Sequence, residues 1–466
     1  MRRSAALLAL LATGCLSMEP RYTRPDPAIP ASWPVGDAYL RQAEASLPAV
    51  TYKEIFRDPR LQALIEQALV NNRDLMAAAA NIRAAREQYR IQRAQQFPQL
   101  DAGAGGTVTG ERGGSGSGVA ANYQAGLSVP NFELDLFGRL RSLSNAQLQR
   151  YFASEATARA TRLTLVADIA DAWLAYSADT SLLLIARQTA ASAEKSVRLT
   201  RLRLEGGVAP RTDLRQAEQI LTQAQADLAQ QTTFVAQDVN LLRLLVGGQI
   251  DATLLPASID EAAPTIGEVP AGLDSYVLLR RPDVVEAEYQ LRAANAQIGA
   301  ARAALFPRIS LTGLLGFAST ALTSLFTGGS FGWSAGANAS YTIFQAGAGR
   351  ANVRLTEAQR DAAVAAYQKA IQTAFREVAD ALARRGTMDA QLSAIQRQQA
   401  AAADYYLLSE ARYRAGVDDF LSSLVAQRSY YQAQQLLVQT KLAAARNRVQ
   451  LYQSLGGDSL LDSPPS

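Results

Sequence analysis

The 466-residue chain contains no histidine and one cysteine. It therefore lacks the side chain most used for proton transfer near neutral pH, which is also the commonest metal ligand. A single Cys excludes an intrachain disulfide and a Cys-based metal cage. Net charge is only +4, from 46 basic and 42 acidic residues, so no basic footprint for nucleic acid is present. No segment beyond the N-terminal region has about 18 unbroken apolar residues, so a membrane crossing would have to be made by strands. There is no Gly-rich phosphate loop before a helix and no Gly-x-Ser-x-Gly elbow. The expectation is a non-enzyme without a bound cofactor. Hydrophobic residues make up 48% and charged residues 19%, which suits a packed fold.

Arg2 and Arg3 precede a short apolar run, Ala5 to Ala12, followed by Thr13, Gly14 and Cys15. This resembles a bacterial lipoprotein signal, with Ala12 where such signals usually carry Leu. Residues 1–14 then form a signal peptide, and Cys15 becomes the mature N-terminus and carries covalent lipid. An ordinary signal peptide with an incidental Cys is the alternative. Leu16, in place of an Asp, is compatible with the outer membrane. Residues 15–60 hold Pro20, Pro25, Pro27, Pro30 and Pro34, which fits an extended segment running from the lipid anchor, or a disordered spacer.

The chain is written twice. Asp74 and Phe97-Pro98 recur as Asp283 and Phe306-Pro307, Ala170-Asp171-Ala172 as Ala379-Asp380-Ala381, Gly207-Val208 as Gly416-Val417, and Gly247-Gly248 as Gly456-Gly457. All are separated by 209 positions, whereas Phe137 and Phe344 are 207 apart. The reading is repeat 1 at 61–257, repeat 2 at 258–457 and a tail at 458–466.

Each repeat reads helix, strand, strand, long helix, helix. Around 100–108, 122–129, 309–317 and 333–343, small or apolar residues alternate with Ser, Thr, Asn and Gly. That period suits strands with lipid on one side and water on the other, and a Gly/Ser-rich linker is the competing reading. Ile169, Tyr176, Leu183, Ala190, Val197 and Leu204 recur every seven residues, as do Leu214 to Leu242 and Ser423 to Leu451. Sustained heptads mean coiled-coil packing. Gly206-Gly207 and Ala415-Gly416 break the helices into antiparallel hairpins.

Four strands cannot close a barrel alone, and an open edge in lipid leaves backbone groups unpaired. Several chains must share one barrel. Phe56-Arg57-Asp58-Pro59-Arg60-Leu61, Asn71-Asn72-Arg73-Asp74, Leu136-Phe137-Gly138-Arg139 and Arg280-Arg281-Pro282-Asp283 are similar to motifs of the TolC-like outer-membrane efflux factors, in their lipoprotein (OprM-like) branch. The resemblance runs from Cys15 to about Gly457. It implies a mixed, mainly α fold: a trimeric outer-membrane β-barrel with four strands per chain, continued by a periplasmic α-helical coiled-coil barrel. It also implies a homotrimer in outer-membrane lipid that works with a periplasmic adaptor (membrane fusion) protein and an inner-membrane pump, without nucleic acid.

The expected function is a passive export duct for small molecules such as drugs. A lipid-anchored scaffold without a pore, or the duct of a protein-secretion system, are the alternatives. The adaptor-docking tips would be Gly206, Gly207, Val208, Ala415, Gly416 and Val417. The family's inner hairpin usually carries an Asp in a Leu-Asp-Ala-Gln-Arg segment, but here Val425 takes that place. The expected gate residues are Asp418, Asp419, Leu421 and Val425, together with Arg201, Arg203, Arg211 and Arg215. Charge pairs between the two turns would hold the gate closed.

Overall fold

A computed structural model describes residues 17–30, 32–34, 39, 51–111, 118–269 and 275–457. In chain order the elements are α1 (Tyr52–Ile55), α2 (Pro59–Asn71), α3 (Arg73–Ala94), β1 (Asp101–Glu111), β2 (Gly118–Leu134), α4 (Arg139–Glu205), α5 (Arg211–Val246), α6 (Ile259–Ala262), α7 (Pro282–Ala303), β3 (Arg308–Ser319), β4 (Phe331–Ser340), α8 (Ala348–Arg414) and α9 (Phe420–Ser454). The order helix, strand, strand, long helix, helix occurs twice. Both long helices, α4 and α8, have 67 residues, about 100 Å at 1.5 Å per residue.

Two compact units result. The first holds the N-terminal segment up to Asp26, Ala80–Glu155 and Glu286–Gln368. Its sheet is antiparallel, in the order β1-β2-β3-β4. The strands differ in two places from the alternation in the sequence. Strand β2 continues past Val129 to Leu134. Pro130 has no N–H to donate, so the ladder steps from Val129 opposite Gly313 to Phe132 opposite Leu311, a bulge. Strand β4 ends at Ser340 rather than 343, and the chain then turns through Ala346 (φ 49°) and Gly347 (φ 84°).

The N-terminal strap is docked in this unit. Glu288 on α7 is buried and accepts hydrogen bonds from Tyr22 (3.2 Å), Arg24 (2.6 and 3.1 Å) and Arg292 (2.6 Å). Asn295 donates to the Pro20 carbonyl at 2.8 Å, and Asn145 to Glu19. Burial pushes the Glu288 carboxyl up, but the guanidinium hydrogen bonds win and hold it below its ordinary value.

The second unit holds Pro27–Ala79, Ala156–Val285 and Lys369–Ser466. Its core is the inner side of the hairpins α4–α5 and α8–α9. No heptad position from Ile169 to Leu204, Leu214 to Leu242 or Ser423 to Leu451 is exposed. Helix α4 is long and apolar enough to cross a membrane, yet its Ile169, Ala170, Trp173 and Leu174 are buried, as in a packed core. Asp58 caps α2, and Pro59 occupies its first turn, where an N–H would go unused. Asn72 caps α3 through two backbone amides and donates to the Leu245 carbonyl. Arg281 joins Asp283, Glu377 and the Ser454 carbonyl. The motif residues Asp58, Asn72 and Arg281 thus position helices.

Candidate functional site

The sheet presents two faces. On one, the rows Ala102–Leu127–Leu315–Trp333 and Ala104–Ala125–Phe317–Phe331 are apolar. Trp333 is 73% exposed although it is the bulkiest side-chain type. The other face carries Ser128, Ser334, Gln124, Asn122, Thr107, Thr312 and Asn338, with Leu314 as an apolar exception. This polar face borders a hollow of about 390 Å³.

Register brings four glycines into one row across the polar face: Gly103, Gly126, Gly316 and Gly332. At the centre of the row the backbones nearly touch. A Cβ on Gly126 would lie 2.5 Å from the Leu315 carbonyl oxygen, and one on Gly316 would lie 2.5 Å from that of Ala125. Only glycine permits this approach, and a row of glycines lets a sheet curl. Reading the strands one by one missed this row, because it exists only once four registers are known. The glycines present in all four strands were its visible trace.

Among the described residues, β1 and β4 each have one unpaired edge. All four strands have 10 to 17 residues, enough to cross a bilayer when tilted. An open edge in hydrocarbon is costly, so this sheet is complete only against further strands.

At the hairpin turns the two repeats are built alike. Val208 N–H donates to the Arg203 carbonyl and Gly207 to that of Leu204. Val417 donates to Arg412 and Gly416 to Tyr413. Gly207 (φ 77°) and Gly416 (φ 73°) supply the left-handed step of this capping motif. The turns share a buried cluster of Val197, Leu214, Ala217, Phe420 and Leu424, with Tyr413 and Leu204 packed against it. Val208, Val417 and Leu421 stay more than half exposed.

Within the single chain, the acids at the turns pair inside their own hairpins. Asp418 accepts from Arg412 of its own hairpin at 2.7 and 2.8 Å, and those bonds hold its carboxyl below the ordinary value. Asp419 caps α9 through the Ser422 amide. Arg201 and Arg215 both reach Glu218 of α5, at 3.4 and 2.6 Å. Arg203 lies 4.9 Å from the centre of the Tyr413 ring. Among the described residues, the apolar cluster and a cation–aromatic contact couple the two turns within the chain. The six-residue spacing inside one turn lets Arg412 reach Asp418 before any more distant arginine can. Arg211 opens α5, and Val425 stands one turn beyond Leu421. Glu218 and Tyr413 were missed because neither type is distinctive on a helix. Cys15 lies outside the described residues.

These features agree with what the chain is similar to. Residues 64–248 and again 274–457 match the family described as "Outer membrane efflux protein". The solvent efflux pump outer membrane protein SrpC of Pseudomonas putida is 45% identical over 464 residues, covering 98% of both chains. Outer membrane protein OprJ of Pseudomonas aeruginosa is 41% identical over 457 residues, covering 97% of this chain and 95% of OprJ. The crystal structure of the open state of the Neisseria gonorrhoeae MtrE outer membrane channel superposes with a TM-score of 0.85 at 35% identity, covering 95% of this chain and 98% of MtrE. A four-stranded sheet with open edges, the helix–strand–strand–helix–helix order written twice, and two matches to one family in a single chain lead to the same end: this protein belongs to the outer membrane efflux protein family and is an outer-membrane efflux channel.

Proposed function

We propose that three copies of this chain, each anchored by lipid on Cys15, close one twelve-stranded barrel and form the outer-membrane duct of a tripartite efflux assembly. The open sheet carries this reading, because both edges need strands that the described residues do not supply. Four strands fall below the roughly eight of the smallest barrels, and three copies reach twelve. The duct needs no cofactor and does no chemistry of its own, so a pump in the inner membrane must supply the driving force. The turns at Gly206–Val208 and Ala415–Val417 meet the periplasmic adaptor, and Leu421 and Val425 narrow the passage beside them. Small apolar molecules are the cargo to test first, since SrpC is named for solvent efflux.

The test uses the full-length protein from outer membranes. Unboiled, it should migrate as a trimer and conduct in planar bilayers, and radiolabelled palmitate should enter wild type but not Cys15→Ser. A monomer without conductance would sink the duct. Equal label in both proteins would sink the anchor alone.

A further inference from the structure

Within the first unit, the Phe137 and Phe306 rings stack with centres 4.6 Å apart and planes 22° apart. Phe137 follows β2 and Phe306 precedes β3. Those two strands join repeat 1 to repeat 2 across the sheet. The aromatic pair therefore clips the seam between the repeats where strands give way to helices.

The duplication supplies a counterpart for each ring. Phe97 lies 209 positions before Phe306 and precedes β1, and Phe344 lies 207 positions after Phe137 and follows β4. The backbone presents Phe97 and Phe306 alike. Phe97 N–H donates to the Ala94 carbonyl at 3.0 Å, and Phe306 N–H to that of Ala303 at 3.1 Å. One residue earlier, Gln96 donates to Arg93 and Leu305 to Arg302. Yet Phe97 is 61% exposed, Phe344 is 86% exposed and the adjoining Ile343 is 91% exposed. The two rings cannot meet within one chain, because β1 and β4 are the opposite edges of the sheet.

The helices that lead into these rings differ in the same way. Ala300 and Ala303 of α7 are buried. Their counterparts on α3, 209 positions earlier, are Ile91 and Ala94, and both are exposed. Helix α3 buries no residue at all along its 22 residues. One chain thus completes the seam once and leaves its two halves bare at opposite edges. Large apolar side chains left bare together mark a contact surface.

We propose that Phe344 of one copy stacks on Phe97 of the next, as Phe137 does on Phe306, and that the contact continues onto the exposed face of α3 around Ile91. This rests on the reading that several copies share one barrel. It adds the surfaces that meet: the β4 side of one copy faces the β1 side of the next. Such a contact is head-to-tail, the kind that closes into a ring. Stacked pairs inside chains then alternate around the ring with stacked pairs between chains.

Cross-linking of the full-length protein in outer membranes tests the pair. Phe97→Cys/Phe344→Cys, treated with a short bismaleimide and boiled in SDS, should give bands of dimer and trimer mass. Either single variant should give none, and co-expressing the two single variants should restore the dimer band. Phe137→Cys/Phe306→Cys should cross-link inside one chain and add no such band. If the cysteine variants do not assemble, Phe344→p-benzoylphenylalanine keeps an aromatic ring, and irradiation should join it to the peptide that holds Phe97 of another chain. An unboiled trimer in which neither probe joins two chains, or a photoadduct on a different peptide, would overturn the stacked pair and leave the duct standing. A wild type that is monomeric when unboiled would remove both.

Discussion

Asp418 is bound by Arg412 of the same hairpin, through Nε and Nη2 at 2.7 and 2.8 Å. Within one chain the acid therefore shapes its own turn. We expect Asp418→Asn/Asp419→Asn to change the resting conductance in a planar bilayer only slightly. Leu421→Ser/Val425→Ser should raise it severalfold, because wetting an apolar constriction removes the barrier to ions. A large rise in the acid variant and none in the apolar one would restore the ionic latch.

Gly126 and Gly316 should be indispensable, and Gly103 should not. Alanine at either central position puts a methyl against a carbonyl oxygen, an overpacking that costs about 1–3 kcal/mol and flattens the sheet. A Cβ on Gly103 meets nothing within 4 Å in the chain. Trimer yield on unboiled gels should fall sharply for Gly126→Ala and Gly316→Ala, and stay near wild type for Gly103→Ala.

The tip glycines allow docking to be separated from folding. Asn tolerates a left-handed backbone better than other side chains do, and open space surrounds both residues. Gly207→Asn and Gly416→Asn should therefore keep the trimer yet lower solvent or drug resistance of cells at least tenfold. Gly207→Val, which strains the turn, should also reduce yield. Full resistance in the Asn variants would remove these turns from the docking surface.

Glu288→Gln should release the strap. Breaking a buried charge pair typically costs roughly 3–5 kcal/mol, and with Arg24 half exposed we expect about 2. Protease should cut more readily after Arg21 and Arg24, and the melting temperature should fall. In wild type the Glu288 carboxyl is held below its ordinary value, so its contribution is present above about pH 4.5 and lost as pH falls further. Glu288→Gln should flatten that acid limb, and an unchanged limb would remove Glu288 from the clamp.

The sequence carried the helices and the repeat almost whole, because a seven-residue period running from Ile169 to Leu204 and a 209-residue echo are long signals. Pro98 and Pro307 marked helix ends, and the glycines marked the turns. The strand limits at Leu134 and Ser340 were less legible. They depend on which backbone groups find a partner across the sheet, and Pro130 changes that locally. The charges at the turns were least legible of all. Residue type placed Arg203 and Asp418 at one level, but competition among nearby partners sent one to Tyr413 and the other to Arg412.

The equal length of α4 and α8 restricts how such a chain can drift. Val197 and Leu214 of one hairpin share a core with Phe420 and Leu424 of the other. A single inserted residue in one helix advances everything beyond it by 1.5 Å and turns it by about 100°, which would take Val197 out of that core. An insertion of seven turns the helix end by only about 20° from its old facing, but it still lifts the turn by about 10 Å. Length can then change only in whole heptads, made in both repeats together. The duplication that built the chain also ties the later history of each half to the other.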